Sequence, residues 1–229
     1  MSIDKKYIKD TFLNLYDTSI KREGAADMRQ WLIESDFFDA PCSTRFHLSE
    51  PGGLARHSIH VYQRLSSLIK ADVKLRHMEE IKNNQPFDIG YTVGVESVCL
   101  VSLLHDVCKV NFYVPEEKNI KTYDPDMLAA LPESSIKFDA SGKKYAWTTV
   151  TGYKVEDQYP FGHGEKSVDI IRDFMTLSSE EKMAIRWHMG FTDNEFKAGG
   201  LSVTNAFEKS PLAVLLHVAD LEATYLDET

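Results

Sequence analysis

"SLLHDVCKV", residues 102–110, brings an apolar run to its end on two adjacent titratable groups, His105 and Asp106, with Lys109 three residues on. The run upstream, about 91–109, is apolar over most of the surface that a helix would present (Val93, Val95, Val98, Leu100, Val101, Leu103, Leu104). Apolar character all round predicts a central, buried helix. A charge left there without compensation is costly. Neighbours on a straight helix point about 100° apart. His105 and Asp106 can therefore face one point only where the helix ends and its turn relaxes.

The segments around this helix are mostly helical too. Ile8, Phe12, Leu15 and Tyr16 recur at three- and four-residue steps, as do Met28, Trp31 and Leu32. "DFFDAPCSTRFHLSEPGG", 36–53, reads as a long ordered loop. From Gly53 a helix begins, with Leu54, His57, Val61, Leu65 and Leu68 on one face. Residues 111–160 interrupt the pattern with four of the eight prolines, and "KKYAWTTVTGYKVED", 143–157, reads as a strand pair around Gly152. Helices resume at about 165–175, 179–189 and 211–226. Each follows a start signal: "GHGEKS", the capping-box type "SSEE", and Ser210-Pro211. With no repeat and no linker, the pattern predicts one all-α domain over 1–229, carrying a small β-hairpin insertion at 112–160.

Bulk properties narrow the function. The chain has 229 residues, 43% hydrophobic and 27% charged, with a net charge of −9. A chain this long buries roughly 70% of its unfolded surface, so neither a disulfide nor a structural metal is needed for folding. The acidic balance argues against a broad basic face, and hence against duplex DNA as a partner. Three cysteines (Cys42, Cys99, Cys108) without a C-x-x-C pair are no disulfide framework, and a reducing, cytoplasmic setting is expected. The N-terminal stretch lacks a signal-peptide core, and no run approaches a membrane span. No phosphate-binding glycine loop, dinucleotide fingerprint or G-x-S-x-G elbow is present.

Ligand-type side chains sit on five separate segments: His57, His105–Asp106, His163, His188 and Asp220. One buried histidine is more often a hydrogen-bonded core residue than a ligand, and an aspartate beside it is then its partner. Five segments that converge on such residues, most of them beside apolar helical runs, fit a divalent-metal site better. Spacing alone leaves the metal and the chemistry open.

The order H…HD…H…H…D resembles the HD superfamily of metal-dependent phosphohydrolases. The resemblance rests on "APCSTRFHLSEPGGLARHSIHV" (40–61), "LLHDVCKV" (103–110), "GHGEKS" (162–167), "WHMG" (187–190) and "LLHVADLEATYLDE" (215–228). The first block is most similar to the HD domain of bacterial 3′–5′ exoribonucleases, without their OB-fold. The resemblance implies an HD-type helical bundle. It implies His57, His105, Asp106 and Asp220 as ligands of a first metal. His163 and His188 would serve a second, with Asp106 bridging. It implies Asp106 and Lys109 as catalytic residues, Lys109 facing a substrate phosphate. Cys108 stands where a glycine is usual. Met189 stands where several relatives have a second histidine, and methionine is a poor ligand for Mg²⁺ or Mn²⁺. One or two divalent ions per chain are expected, among Mn, Fe, Mg, Ni, Co and Zn.

The expected substrate is a nucleotide or a short single-stranded oligonucleotide, its phosphoester cleaved by metal-activated water. The alternatives are hydrolysis of nucleoside mono- or triphosphates and a non-catalytic nucleotide sensor. His47, Arg45 and Phe161 join Lys109 as candidate substrate contacts. His60 reads more as a packed or surface histidine than as support for the site, His217 as core, and His77 as solvent-facing. The insertion's other aromatics read as its own small core.

Overall fold

The computed structural model describes residues 4–83 and 91–228. Its first helix, α1 (Lys5–Ser19), is capped by the Asp4 carboxylate and buries Ile8, Phe12 and Tyr16, one residue per turn. α2 (Ala25–Glu34) buries Ala25, Met28 and Leu32. The loop over 36–52 leads into α3 (Gly53–Asn83), which buries Leu54, His57, Val61 and Leu65 on one face, as their spacing predicts. Only a glycine fits at 53, because a Cβ there would run into the Leu48 carbonyl and the Cys42 amide. α4 (Val95–Leu104) is the central helix: every residue from Val98 to Leu104 is buried, and it packs against α1, α3 and α7 (Ser179–Arg186). α6 (His163–Arg172) lies against α7, and α10 (Pro211–Glu222) crosses α3 and α7. Phe12, Phe37 and Phe38 form an aromatic cluster at the base of this core. Three shorter helices, α5 (Pro125–Ala129), α8 (Asn194–Lys197) and α9 (Ser202–Lys209), complete the helical set among the described residues.

Two expectations from sequence need correction. The apolar run does not stay helical to residue 109. α4 stops at Leu104, His105 and Asp106 form a turn, and a 3₁₀ turn follows at Val107–Lys109. Nor is 143–157 a strand pair. It supplies a single strand, and Gly152 sits within it opposite Glu116. The partners come from either side: β1 (Tyr113–Thr122) and β2 (Lys137–Phe138) flank β3 (Lys144–Val155) in an antiparallel sheet of order β1-β3-β2. The misreading has a physical reason. A glycine in a long two-stranded ribbon needs no turn, and β1 is an edge strand that accepts Pro115. Within the insertion Tyr145 is buried beside Tyr123 and Trp147, but Trp147 and Tyr159 are exposed, so the expected small aromatic core forms only around Tyr145. All three cysteines are free and buried, and no described helix is long and apolar enough to cross a membrane.

A buried ion pair ties the helices together below the site. Arg22, between α1 and α2, forks onto Glu181 of α7 at 2.9 and 2.7 Å, while Ser97 of α4 donates to the same carboxylate at 2.7 Å. Glu181 also completes the capping box of α7 with Ser178. Burial pushes the Glu181 carboxyl up, but Arg22, the Ser178 amide and Ser97 outweigh it and hold it at about 2. Its ionised form thus adds stability in full above the ordinary value of 4.5 and loses it as pH falls toward 2. Glu181→Gln removes the charge under the Arg22 fork, leaving the guanidinium Glu96 and the Thr176 carbonyl, and is expected to cost about 1.5–3 kcal/mol near pH 7. It should also flatten the acid limb of stability between pH 4.5 and 2, read by urea unfolding. A second expectation concerns Gly164, whose added Cβ would strike the Arg186 backbone. Gly164→Ala gains about 0.5–1 kcal/mol of helix propensity but forces α6 off α7 at about 1–3 kcal/mol. Urea unfolding should therefore show net destabilisation.

Candidate metal centre

Four helix ends and one helix interior deliver the side chains. The end of α4 presents His105 and Asp106, and Asp106 has left helical geometry with φ −106° and ψ 16°. The end of α7 presents His188, the start of α6 His163, and the last turn of α10 Asp220. His57 comes from the second turn of α3. The tight contact at Gly164 brings the α6 start against the α7 end, so His163 and His188 lie ring to ring at 5.1 Å.

Asp106 stands at the centre, 3% exposed. Its Oδ1 faces His163 Nε2 at 2.8 Å and His188 Nε2 at 3.4 Å. Its Oδ2 faces His105 Nε2 at 3.5 Å, His57 Nε2 at 3.6 Å and Lys109 Nζ at 2.6 Å. Asp220 closes the second side, with Oδ1 3.1 Å from His57 Nε2. All six ligand candidates therefore meet in one place, as does Lys109. His57, His105 and Asp106 form one set that could hold a metal ion. Asp106, His163 and His188 form another, and His105, His188 and Asp220 a third.

The donor chemistry fits a cation. His105 Nδ1 donates to the Ser102 carbonyl at 2.9 Å, and His188 Nδ1 to the Ile185 carbonyl at 2.7 Å. With Nδ1 carrying the proton, each neutral ring turns an Nε2 lone pair to the centre. Burial pushes His105 down to about 3, which keeps it neutral. Its Nε2 stands 3.3 Å from His57 Nε2. His188 Nε2 is buried with no hydrogen-bond partner. The His105 and His188 lone pairs thus face the Asp106 carboxylate at 3.5 and 3.4 Å, acceptor against acceptor, and a divalent ion between them satisfies them all.

The charges point the same way. Burial opposes ionisation of Asp106, but Lys109, His105, His163 and His188 hold its carboxyl well below the usual range. Asp220 is lowered against burial by His57. Burial would push His163 down, yet Cys108 and Asp106 raise it to about 10. Likewise Cys42, Asp220 and Glu228 raise His57 well above its ordinary value despite burial.

A cavity of about 510 Å³ opens onto these groups. Asp106, Lys109, His57, His163, Asp220 and His47 line it together with Phe46, Met189, Leu221 and Tyr225. His47 sits 3.3 Å from the Cys42 sulfur. Two proposed substrate contacts are not part of that lining. Arg45 is exposed and stacks on the Phe46 ring at 5.1 Å, outside the cavity lining. Phe161 stacks on Tyr159 at 5.5 Å and lines a different cleft, with Glu165, Arg172 and Lys182.

Five residues play parts that spacing did not assign. Glu228 is buried against His57 and His60, so His60 belongs to the site's support rather than to the surface. Cys42 receives Lys109 Nζ at 3.5 Å. Cys108 packs its sulfur 3.3 Å from His163 Nδ1. His217, expected in the core, is half-buried, lines the cavity and donates to the His188 carbonyl at 2.7 Å. The sequence signals for them were the three-residue steps from His57 to His60 and from His217 to Asp220, and Cys108 standing where a glycine is usual.

Comparison with protein-family models, with curated proteins and with solved structures finds no match for this chain.

An ion that binds only the folded centre stabilises it by about 2.7 kcal/mol at a hundred times its dissociation constant, or roughly 5–10 °C in a chain of this size. Differential scanning calorimetry with Mn²⁺ or Zn²⁺ should show such a shift. Asp106→Ala should abolish it, with bound metal lost by elemental analysis.

Proposed function

We propose that this chain is a metal-dependent phosphohydrolase of the HD type, acting on a small nucleotide phosphoester. The observation that carries the proposal is the Asp106 carboxylate, which offers one oxygen to each of two histidine pairs: His163 with His188, and His57 with His105. A shared carboxylate between two nitrogen-rich sets suits one ion or an adjacent pair, with Asp220 completing the His57 side. A divalent ion held there supplies Lewis acidity toward a phosphoryl oxygen and acidifies water near neutral pH.

The chain's own groups supply the rest. Lys109 is held charged against burial by Asp106 and Cys42. Its ammonium lines the cavity, in position to meet a phosphoryl oxygen and offset charge developing there. It is the only lysine or arginine among the described residues of that lining, which favours a ligand with one phosphoester over a strand of many phosphates. Opposite the polar floor, Phe46 and Tyr225 leave 75% and 66% of their surface in water at the cavity's edge. Exposed rings beside a phosphate site suit a nucleobase, and stacking is worth about 1–3 kcal/mol per base. Phe46 and Tyr225 thereby replace Phe161 as the candidate base contacts.

The deciding experiment incubates the Mn²⁺-reconstituted protein with nucleoside monophosphates, nucleoside triphosphates, cyclic nucleotides and a short single-stranded RNA, and resolves products by chromatography. One of the small nucleotide classes should be consumed and the RNA spared, with Asp106→Ala inactive. Phe46→Ala should raise KM about 5- to 150-fold, the range that stacking energy implies. A protein with bound metal that turns over nothing in the panel would sink the catalytic proposal. Nucleotide binding without turnover would then identify the cavity as a sensor.

A further inference from the structure

Each histidine of the centre needs its outer nitrogen held. His105 and His188 solve this locally, because each follows the end of a helix and bonds a carbonyl three residues back. His57 has no such option. It lies inside α3, where the preceding carbonyls are committed to the helical ladder. Its Nδ1 meets Glu228 instead, at 3.1 Å from both carboxylate oxygens. The same carboxylate accepts from His60 Nδ1 at 2.8 Å, and its side chain is wholly buried.

We propose that Glu228 is the positioning residue for His57, fixing its tautomer and aiming its Nε2 at the metal centre. A carboxylate only accepts, so the Nδ1 proton of His57 points to Glu228, and once Nε2 gives up its proton the lone pair it leaves points to Asp106 and Asp220. The fold supports this grip along one face of α3. His57, His60 and Arg64 succeed one another at helical spacing, and all three hold the C-terminal segment. The two histidines bind Glu228, and Arg64 Nε binds Asp227 at 2.8 Å. The π-turn at Ala223–Asp227 swings the chain from α10 back toward α3. It also puts Asp220 and Glu228 on either side of the same imidazole. One short segment thus supplies both an inner carboxylate and the outer one that orients its neighbour.

The inference rests on His57 as a metal ligand, and its test separates the two. Mn²⁺ is titrated calorimetrically into wild type, Glu228→Ala and Glu228→Gln, and the His57 tautomer is read from ¹⁵N–¹H spectra of the metal-free proteins at a pH high enough to leave the ring neutral. Loss of an orienting outer-shell group weakens metal binding about 10- to 100-fold. Glu228→Ala should show that loss and a mixed His57 tautomer. Glu228→Gln keeps an acceptor oxygen without the charge, so it should recover the tautomer and part of the affinity. A merely structural Glu228 would move neither the tautomer nor the graded affinity. A Glu228→Ala variant that binds Mn²⁺ within twofold of wild type and keeps the wild-type spectrum overturns the proposal, as does a Glu228→Gln variant whose Mn²⁺ affinity stays within twofold of wild type. If Glu228→Ala does not fold, Glu228→Gln alone decides by the same criterion. If wild type binds no Mn²⁺, the metal assignment fails while the metal-free spectra still decide whether Glu228 sets the His57 tautomer.

Discussion

Everything in this fold is arranged around one buried carboxylate. Asp106 is nearly shielded from water at the end of the most apolar helix of the chain, where an unpaired charge costs several kcal/mol. It is tolerable only if cationic or hydrogen-bonding groups reach both oxygens, and no single helix can supply them. The surrounding elements therefore stop, turn or start where they do. α4 ends one residue before the His-Asp pair, α7 ends just short of His188, and α6 begins at His163. Helix ends serve this purpose because their side chains splay freely and their carbonyls are free to orient imidazoles.

Local rules and long-range packing divided what could be read in advance. The amphipathic faces of α1, α2 and α3, the capping box of α7 and the Ser210-Pro211 start of α10 are written in a few neighbouring residues, so the helices were legible. The six candidate ligands were legible too, because burying histidine and aspartate beside apolar runs is too costly to be casual. The partners that orient those ligands were not. Glu228 lies 171 residues from His57 and sits in an ordinary acidic tail sequence. Cys42 and Cys108 look like any small buried residue until the fold sets them against Lys109 and His163. Phe161, two residues from His163, seemed to face the same cavity. The start of α6 sends it to the other side of that helix. The β insertion failed for a related reason: its pairing joins segments too far apart for turn signals to reveal.

The site also separates its duties by distance from Asp106. Imidazoles, carboxylates and the Lys109 ammonium meet at the centre, and exposed aromatic rings form the outer edge. Below, the Arg22–Glu181 pair joins α7 to the α1–α2 connection and, through Ser97, to α4, without entering the cavity. The groups that hold the helices together are thus distinct from those that face a ligand. A change in one set can be read without confusing it with the other.

The ribbon of β1 and β3 has a consequence for how the centre assembles. Asp106 and His163 are 57 positions apart, and bringing two such points together costs chain entropy that rises with the logarithm of the intervening length. Pairing Tyr113 with Val155 short-circuits most of that excursion. The effective loop shrinks to roughly 16 residues and the closure cost falls by about 1 kcal/mol. The ribbon acts as a zipper whose teeth close at the base, and what lies beyond the base is invisible to the metal ligands. Lengthening or shortening its far end leaves that saving intact, so this is where the chain can vary in size without disturbing its chemistry.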